Sequence, residues 1–403
     1  MSKLERLIQQ YCPDGVEYVK LDSVANICRG TRVVKSQLSD KGYPVYQNCL
    51  TPMGYFERSN CNAGITFVIC GGAAGNVGYT DVECWAADDC EFIIGGHQVI
   101  NRYIYYYLMT KQNYLLSKVR KASIPRLSPS IIKDLEIPLP PLPVQEEIVR
   151  ILDAFTELQA ELQAELQKRK QQYNYYLDNL LNFNDINGGG YQAEVRWMKM
   201  SEVFETITDY TAAGSFKSIA ENVKYLKSPD YAMLIRTTDL KSRFRKGDFI
   251  YVSKSAFDYL WRVKMDKECI VMPNVGNCGE IYYVHPNSLP YDNCALAPNA
   301  ILVRSKLFNN KYLSYCLQVE CFQKQLAKIT SPVGQSKFNK TELKKLLVPI
   351  PSLADQQKIV DILDRFDTIT TDLTQGLPAE IEKRRQQYEY YRDKLLTFKR
   401  KGA

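Results

Sequence analysis

Ile137-Pro-Leu-Pro-Pro-Leu-Pro-Val-Gln-Glu-Glu-Ile-Val-Arg-Ile-Leu-Asp-Ala-Phe155 returns near the end of the chain as Val348-Pro-Ile-Pro-Ser-Leu-Ala-Asp-Gln-Gln-Lys-Ile-Val-Asp-Ile-Leu-Asp-Arg-Phe366. A second shared stretch follows each copy: Arg169-Lys-Gln-Gln-Tyr-Asn-Tyr-Tyr-Leu-Asp-Asn-Leu-Leu181 and Arg384-Arg-Gln-Gln-Tyr-Glu-Tyr-Tyr-Arg-Asp-Lys-Leu-Leu396, with four more residues between the motifs in the second copy. Two matches in the same order are beyond chance, and self-similarity at so long a period marks a duplicated architecture. Fainter echoes precede each copy: Tyr18-Val-Lys-Leu with Trp197-Met-Lys-Met, Gly75-Asn-Val-Gly78 with Gly276-Asn-Cys-Gly279, and Tyr103-Ile-Tyr-Tyr-Tyr-Leu108 with Tyr312-Leu-Ser-Tyr-Cys-Leu317. The order is globular block, helix, globular block, helix. The helices are alike and the blocks have diverged, as expected of one frame carrying two recognition surfaces.

The helices are legible from their periodicity. Ile148, Leu152, Phe155, Leu158, Leu162, Leu166, Tyr173, Tyr176 and Leu180 recur at steps of three and four. Residues 144–183 so arranged span about 60 Å at 1.5 Å per residue. A helix that long with one apolar stripe needs a partner helix. The second copy offers the stripe Ile359, Leu363, Phe366, Ile369, Leu373, Leu377, Ile381, Tyr388, Tyr391 and Leu395, interrupted by Gly376-Leu-Pro378, a stop signal followed by proline at a helix start. Gly188-Gly-Gly190 reads as a linker releasing the chain into the second block. These features predict an α+β chain in which two globular domains are separated by a long antiparallel two-helix coiled coil, a pseudo-twofold internal repeat. The expected divisions are 1–143, 144–187, 188–354 and 355–403, with a helix break near 376–378. Within the blocks, Ile65-Thr-Phe-Val-Ile69, Glu91-Phe-Ile-Ile94, Glu268-Cys-Ile-Val271 and Glu280-Ile-Tyr-Tyr-Val284 read as strands.

At 403 residues, 45% hydrophobic and 24% charged, the composition is that of a folded protein of more than one domain. No apolar run approaches a membrane span, the first residues lack a signal-peptide core, and the expectation is a cytoplasmic protein. The 12 cysteines contain no Cys-x-x-Cys pair, and with only His97 and His285 beside them they read as free thiols. Catalytic signatures are missing too. Gly71-Gly-Ala-Ala-Gly-Asn-Val-Gly78 has no phosphate-reaching lysine, no Gly-x-Gly-x-x-Gly follows a strand, and no Asp/Asn-Pro-Pro-Tyr/Phe segment of an amino-methyltransferase occurs. No catalytic, cofactor-binding or metal-ligating residue is assigned.

The net charge of +7 is uneven: residues 188–355 carry 23 Lys/Arg against 16 Asp/Glu, while residues 1–150 carry 16 against 15. That bias suits phosphate contact. Basic and polar side chains cluster at comparable places in the two blocks: Arg29, Thr31, Arg32 and Lys35 against Ser215 and Lys217; Gln47 and Arg58 against Arg236, Arg243, Arg245, Lys246 and Lys254; and, before each proline-rich exit, Lys118, Arg120, Lys121 and Arg126 against Gln335 and Lys337. These are the candidate DNA-contacting residues. Each alone reads as an ordinary exposed basic loop rather than a base reader; the repetition at comparable positions in both blocks is what favours DNA.

The paired Pro-x-Pro helix starts with Gln145 and Gln356, the paired Arg-x-Gln-Gln-Tyr-x-Tyr-Tyr motifs, and the run Thr156-Glu-Leu-Gln-Ala-Glu-Leu-Gln-Ala-Glu-Leu-Gln167 resemble the specificity subunits of type I restriction-modification systems, the last resembling the type IC branch. The resemblance covers essentially the whole chain. It implies a non-catalytic subunit whose two target-recognition domains each read one half of a split site in double-stranded DNA. It also implies that the helices, at Gln145, Arg169, Tyr173, Gln356, Arg384 and Tyr388, dock two methyltransferase subunits, and that two restriction-motor subunits join them. S-adenosylmethionine, ATP and Mg are then expected in the partners and none in this chain. The rival readings are a coiled-coil scaffold with protein-binding heads and a fused enzyme.

Overall fold

A computed structural model describes residues 2–121, 123–181, 183, 195–245, 247–331, 335–371 and 376–402. The glycine linker, Leu373 and Lys246 lie outside the described residues. The chain forms two compact units: Met1–Glu165 with Pro378–Ala403, and Leu166–Leu377. The boundaries run through the helices, one of them inside the Ala-Glu-Leu-Gln repeat, so each unit holds a block and its own helix pair.

In unit one a four-stranded antiparallel sheet runs in the order Ala25–Arg29, Cys90–Gly95, Ile65–Ile69, Val77–Thr80. Beside it, Tyr43–Tyr46 pairs antiparallel with Tyr55–Phe56 and parallel with Trp85–Ala86. Unit two repeats both sheets: Thr206–Asp209, Ala300–Arg304, Cys269–Pro273, Tyr282–Val284 in the first, and Ala232–Ile235 antiparallel to Ile250–Val252 and parallel to Cys294–Leu296 in the second. Strand order and direction are the same although little sequence is shared.

The inner strands Ile65–Ile69 and Cys269–Pro273 are buried at every residue. In the second, side chains alternate between two cores: Ile270 and Met272 join the one that includes Tyr312 and Tyr315 of the helix Asn310–Cys316, Cys269 and Val271 the other. Burial on both faces removes the polar alternation of a surface strand, which is why these segments read as unbroken apolar runs. The 12 cysteines are unpaired, and most are buried.

Each block is closed by a two-stranded clip, Tyr18–Lys20 with Glu136–Pro138 and Arg196–Lys199 with Leu347–Ile350. The helix that follows begins with a fully buried glutamine. Gln145 Nε2 donates to the carbonyls of Gln98 and Pro140 at 2.9 and 2.7 Å, and its Oε1 accepts from the Ile100 N–H at 3.0 Å. Gln356 Nε2 donates to Pro351 O at 3.0 Å and Oε1 accepts from Asn309 N–H at 3.1 Å. Ile100 and Asn309 are the N-caps of the tyrosine helices Asn101–Thr110 and Asn310–Cys316, whose first amides lack intrahelical acceptors. The tyrosines complete the joint: Tyr103 and Tyr312 donate to the carbonyls of Pro138 and Pro349 at 3.0 and 2.9 Å, and Tyr106 and Tyr315 donate to Asp153 and Asp364 on the helices.

The helix Leu142–Leu181 is unbroken over 40 residues. In unit one it pairs antiparallel with Leu377–Leu395: Ile148 and Leu152 share a core with Leu396, and Phe155 stacks on Tyr391 at 5.6 Å. In unit two its later part pairs antiparallel with Leu353–Thr371: Leu177 and Leu181 share a core with Ile359 and Leu363, and Tyr176 stacks on Phe366 at 5.0 Å. Phe155 and Phe366 are equivalent positions of the repeat, as are Tyr391 and Tyr176, so one contact is made twice with the chain order exchanged. The chain's last residues return to its beginning. Val16 N–H donates to Lys399 O at 2.8 Å, Tyr18 Oη to Phe398 O at 3.0 Å, and Arg400 pairs with Glu136 at 2.6 Å.

Two stability predictions follow from the joints. Gln145→Ala orphans a buried N–H and two carbonyls, and should destabilise unit one by at least about 2 kcal/mol, since each unpaired buried group costs about 1–3; an unchanged urea midpoint would refute the joint's role. Glu147, 3% exposed, is bound by Arg150 at 2.6 Å and Lys3 at 2.7 Å, and its hydrogen bond from Arg150 leads the causes that hold its pKa down at about 2. A depressed carboxylate stabilises the fold above its unfolded value near 4.5 and loses that contribution as pH falls toward about 2. The stability gap between the wild type and Glu147→Gln should therefore narrow over that window; a gap independent of pH would rule the ion pairs out as its source.

Candidate nucleic-acid interface

Five of the basic and polar residues singled out in block one meet. Arg29, Lys118, Arg120 and Arg126 line one cleft of about 450 Å³, together with Asp88 and Glu91. Arg29 ends the first strand of the sheet, and its Nε donates to the Asp88 carbonyl at 3.0 Å. Arg120 and Arg126 exchange paired backbone bonds at 2.8 and 3.2 Å, and Pro125 O accepts from Gly72 N–H at 3.1 Å. This places the Arg126 guanidinium 3.1 Å from Asp89. Gln47 joins the rim by donating to Asp88 at 3.4 Å. Burial pushes the Glu91 carboxyl up, and Arg29 and Lys133 pull it back. The cleft thus offers forked donors beside carboxylate acceptors.

The remaining block-one residues spread from this centre. Thr31 is held at the edge of the smaller sheet, its carbonyl accepting from Trp85 Nε1 at 2.8 Å. Arg32, Lys35 and Lys121 are exposed. Arg58 lies over the Phe56 ring at 5.8 Å, against Glu57, and is not part of the cleft.

In block two the residues divide. Ser215 caps the helix Phe216–Asn222, accepting from Ser218 N–H at 3.2 Å, and exposed Lys217 follows it. Lys337 pairs through its backbone with Val275 and Ser331, and Gln335 precedes it. A cleft of about 550 Å³ is lined by Phe216, the neighbour of Ser215 and Lys217, by Val275, the backbone partner of Lys337, and by Tyr210, Tyr225, Asn274 and Asn299; the four predicted residues themselves are not in its lining. The others lie elsewhere. Arg236 is bound by Asp239 at 2.7 Å and Asp248 at 3.3 Å; Asp239 is only 1% exposed, and its hydrogen bond is the first cause raising the Arg236 pKa. Arg236 neutralises a buried carboxylate and so has a structural task. Arg243 faces a separate cavity lined by Tyr282 and Lys311. Arg245 and Lys254 are exposed, and Lys254 lies 6.0 Å from the Tyr231 ring.

On the helices the expected docking residues are largely used within the chain. Gln145 and Gln356 are the buried joints described above, with their amides turned inward. Tyr173 and Tyr388 pack against the cores of units two and one. Arg169 bonds Gln172 and Arg384 bonds Gln387, each at 3.0 Å, with Arg384 also on Glu380 at 2.7 Å. The sequence reading missed the neighbouring aromatics: Tyr175 and Tyr390, equivalent positions of the Arg-x-Gln-Gln-Tyr-x-Tyr-Tyr motif, are 66% and 60% exposed. The motif itself held the signal, since three aromatics so close on a helix cannot all face one core.

Among the described residues no three His, Cys, Asp or Glu side chains stand together as a metal site. No described helix is long and apolar enough to cross a membrane.

The family model for the type I restriction modification DNA specificity domain matches twice, at residues 13–169 and 192–383, each match taking in one block and the first part of the helical segment that follows it. The chain belongs to the type I restriction-modification specificity family. A putative type I restriction enzyme specificity subunit of Haemophilus influenzae is 29% identical over 412 residues, covering 98% of both chains. A type I restriction enzyme specificity subunit of Escherichia coli is 30% identical over 312 residues, covering 75% of this chain and 72% of that one. In fold, the chain is similar to the crystal structure of a type I restriction-modification S subunit from M. genitalium, with a TM-score of 0.59 at 17% identity, covering 95% of this chain and 96% of that one. A chain from a structural study of type I complex assembly gives 0.56 at 15%, covering 95% and 98%. The protein is thus a specificity subunit, a non-catalytic component that serves DNA recognition in a restriction-modification complex.

Proposed function

We propose that each unit reads one half of a bipartite double-stranded DNA site, and that the helices set the spacer and hold two methyltransferase subunits on it. The observation that carries this reading is one sheet topology built twice, with clefts of different chemistry on the two copies. A common frame with unlike surfaces is what two independent readers need. Arg29, Lys118, Arg120 and Arg126 line the cleft of unit one and are its contacts in this reading; in unit two Ser215, Lys217, Gln335 and Lys337 contribute from segments adjoining the cleft. Exposed Arg32, Lys35, Arg58, Lys121, Arg245 and Lys254 supply phosphate neutralisation around them. Tyr175 and Tyr390 give the methyltransferases two equivalent aromatic anchors, the side-chain type enriched at interface centres.

Two restriction-motor subunits complete the assembly in this reading. S-adenosylmethionine belongs to the methyltransferases, ATP and Mg to the motors, and the complex works on DNA in the cytoplasm. Family membership favours it over a scaffold with protein-binding heads.

The test is adenine methylation mapped genome-wide in cells expressing the partner methyltransferase with and without this chain. One split motif that vanishes without the chain is expected; methylation that persists unchanged would overturn the reading. The helix Leu142–Leu181 gives its first part to unit one and its last to unit two, which supports a ruler. Inserting one further Ala-Glu-Leu-Gln unit lengthens the helix by about 6 Å. The mapped motif should then keep both half-sites and gain a longer spacer; altered half-sites around a fixed spacer would exclude the ruler.

A further inference from the structure

The two clefts overlap in the repeat, sharing the lining positions Arg29/Asp209, Cys70/Asn274 and Asp88/Pro298, and open from there toward different segments. Ile69 pairs with Cys90 as Pro273 pairs with Ala300, and Arg29 with Glu91 as Asp209 with Ile301. The backbone bonds around them repeat as well: Cys70 N–H to Asp89 O and Asn274 N–H to Asn299 O at 2.7 and 3.1 Å, Leu127 N–H to Cys70 O and Phe338 N–H to Asn274 O at 2.9 and 3.1 Å. Gly72 N–H to Pro125 O likewise matches Gly276 N–H to Ser336 O. Position by position, Arg29 stands where Asp209 does, Asp89 where Asn299 does, and Arg126 where Lys337 does.

The backbone is kept and the chemistry is exchanged. The unit-one cleft presents the guanidiniums of Arg29 and Arg126, each steadied by a bond to the 88–89 turn, with Asp88 between them and Gln47. In unit two Asp209 is neutralised by Lys340 at 2.8 Å, and among the described residues no arginine lines the cleft. Lys337, the equivalent of Arg126, lies outside that lining and is a point charge without a fork, suited to phosphate. The wall instead carries Asn274, whose buried Oδ1 has no hydrogen-bond partner among the described residues, and Phe216, 83% exposed. A buried acceptor without a partner is costly unless something donates to it.

In the major groove, arginine reads the paired acceptors of guanine and a carboxylate accepts from the cytosine amine; an asparagine amide matches the donor and acceptor of adenine, and an apolar side chain contacts the thymine methyl. We infer that the paired clefts are the specificity-determining sites of the two units, with Arg29, Arg126 and Asp88 reading a G·C pair in one half-site and Asn274 and Phe216 an A·T pair in the other.

This rests on the bipartite reading above, and one experiment separates the two. Methylation motifs are mapped for the complex containing the wild-type chain, Arg29→Ala, Arg126→Ala, Asn274→Ala or Phe216→Ala. A wild type with no split motif fails the bipartite reading itself. With a split motif present, the arginine variants should relax a G·C position in one half only, and the Asn274 and Phe216 variants an A·T position in the other. Loss of one bidentate contact corresponds to roughly 5- to 150-fold lower discrimination. Relaxed positions of the opposite base type, or motifs left intact in all four variants, would overturn the cleft inference alone. Where a variant abolishes methylation, the purified complex is titrated with duplexes carrying each of the four base pairs at the position. Weakening confined to the cognate pair supports base reading; equal weakening on all four overturns it.

Discussion

A single buried carboxamide joins each recognition block to its helix. Gln145 and Gln356 sit at the first turn of the helices, where backbone groups of the exit segment and of the tyrosine helix converge without partners of their own. Only a side chain that donates and accepts at once, and carries no charge, satisfies both sides of such a joint. A carboxylate would lose the donor and bury a charge; an aliphatic chain would leave every group unpaired. The angle at which a block leaves its helix is therefore set by hydrogen-bond geometry, reinforced by tyrosine hydroxyls from the same helix face. Everything farther out, including the clefts, inherits its position from that joint.

The helix pairing follows a related economy. Phe155 on Tyr391 and Tyr176 on Phe366 are one stack used twice, each time with the partners contributed by opposite copies of the repeat. This is the self-complementary logic of a twofold dimer interface written into one chain. All four stacked rings stand on the helices, so the stacks themselves require nothing of the diverging block surfaces. The small effect of divergence on topology is evident in the sheets, where strand order and direction survive the exchange of an arginine for an aspartate at the strand end bordering the cleft.

How much of this was legible depended on the kind of signal. The repeat, the long helices and the interruption near Gly376 are periodic or punctuated features, and periodicity is local. The inner strands were legible because burial on both faces leaves an unbroken apolar run. The clefts were not: Arg29, Gln47 and Arg126 come together only through strand pairing and the backbone bonds between Arg120 and Arg126, neither of which composition announces. Arg236 resembled a surface cation because the residue that occupies it, Asp239, is buried by contacts remote in sequence. The glutamines were singled out for partner docking, and the structure shows their amides engaged within the chain; a motif shared by two helices is equally well kept for contacts inside a molecule as for contacts outside it.

The return of the chain's end to its beginning has a consequence in time. Unit two is built from one continuous stretch and is complete in sequence once Leu377 has been made, whereas unit one lacks its second helix until Pro378–Ala403 follow. At synthesis rates of about 5–20 residues per second, the first-made block waits about 10–40 s for its closing segment. Over that interval Phe155 lacks its stacking partner Tyr391, the core holding Ile148 and Leu152 lacks Leu396, and the edge that later receives residues 399–401 is open. The older half of the molecule is thus the last to become safe from aggregation, and a nascent chain of this design has most need of chaperone cover while its second half is still being translated.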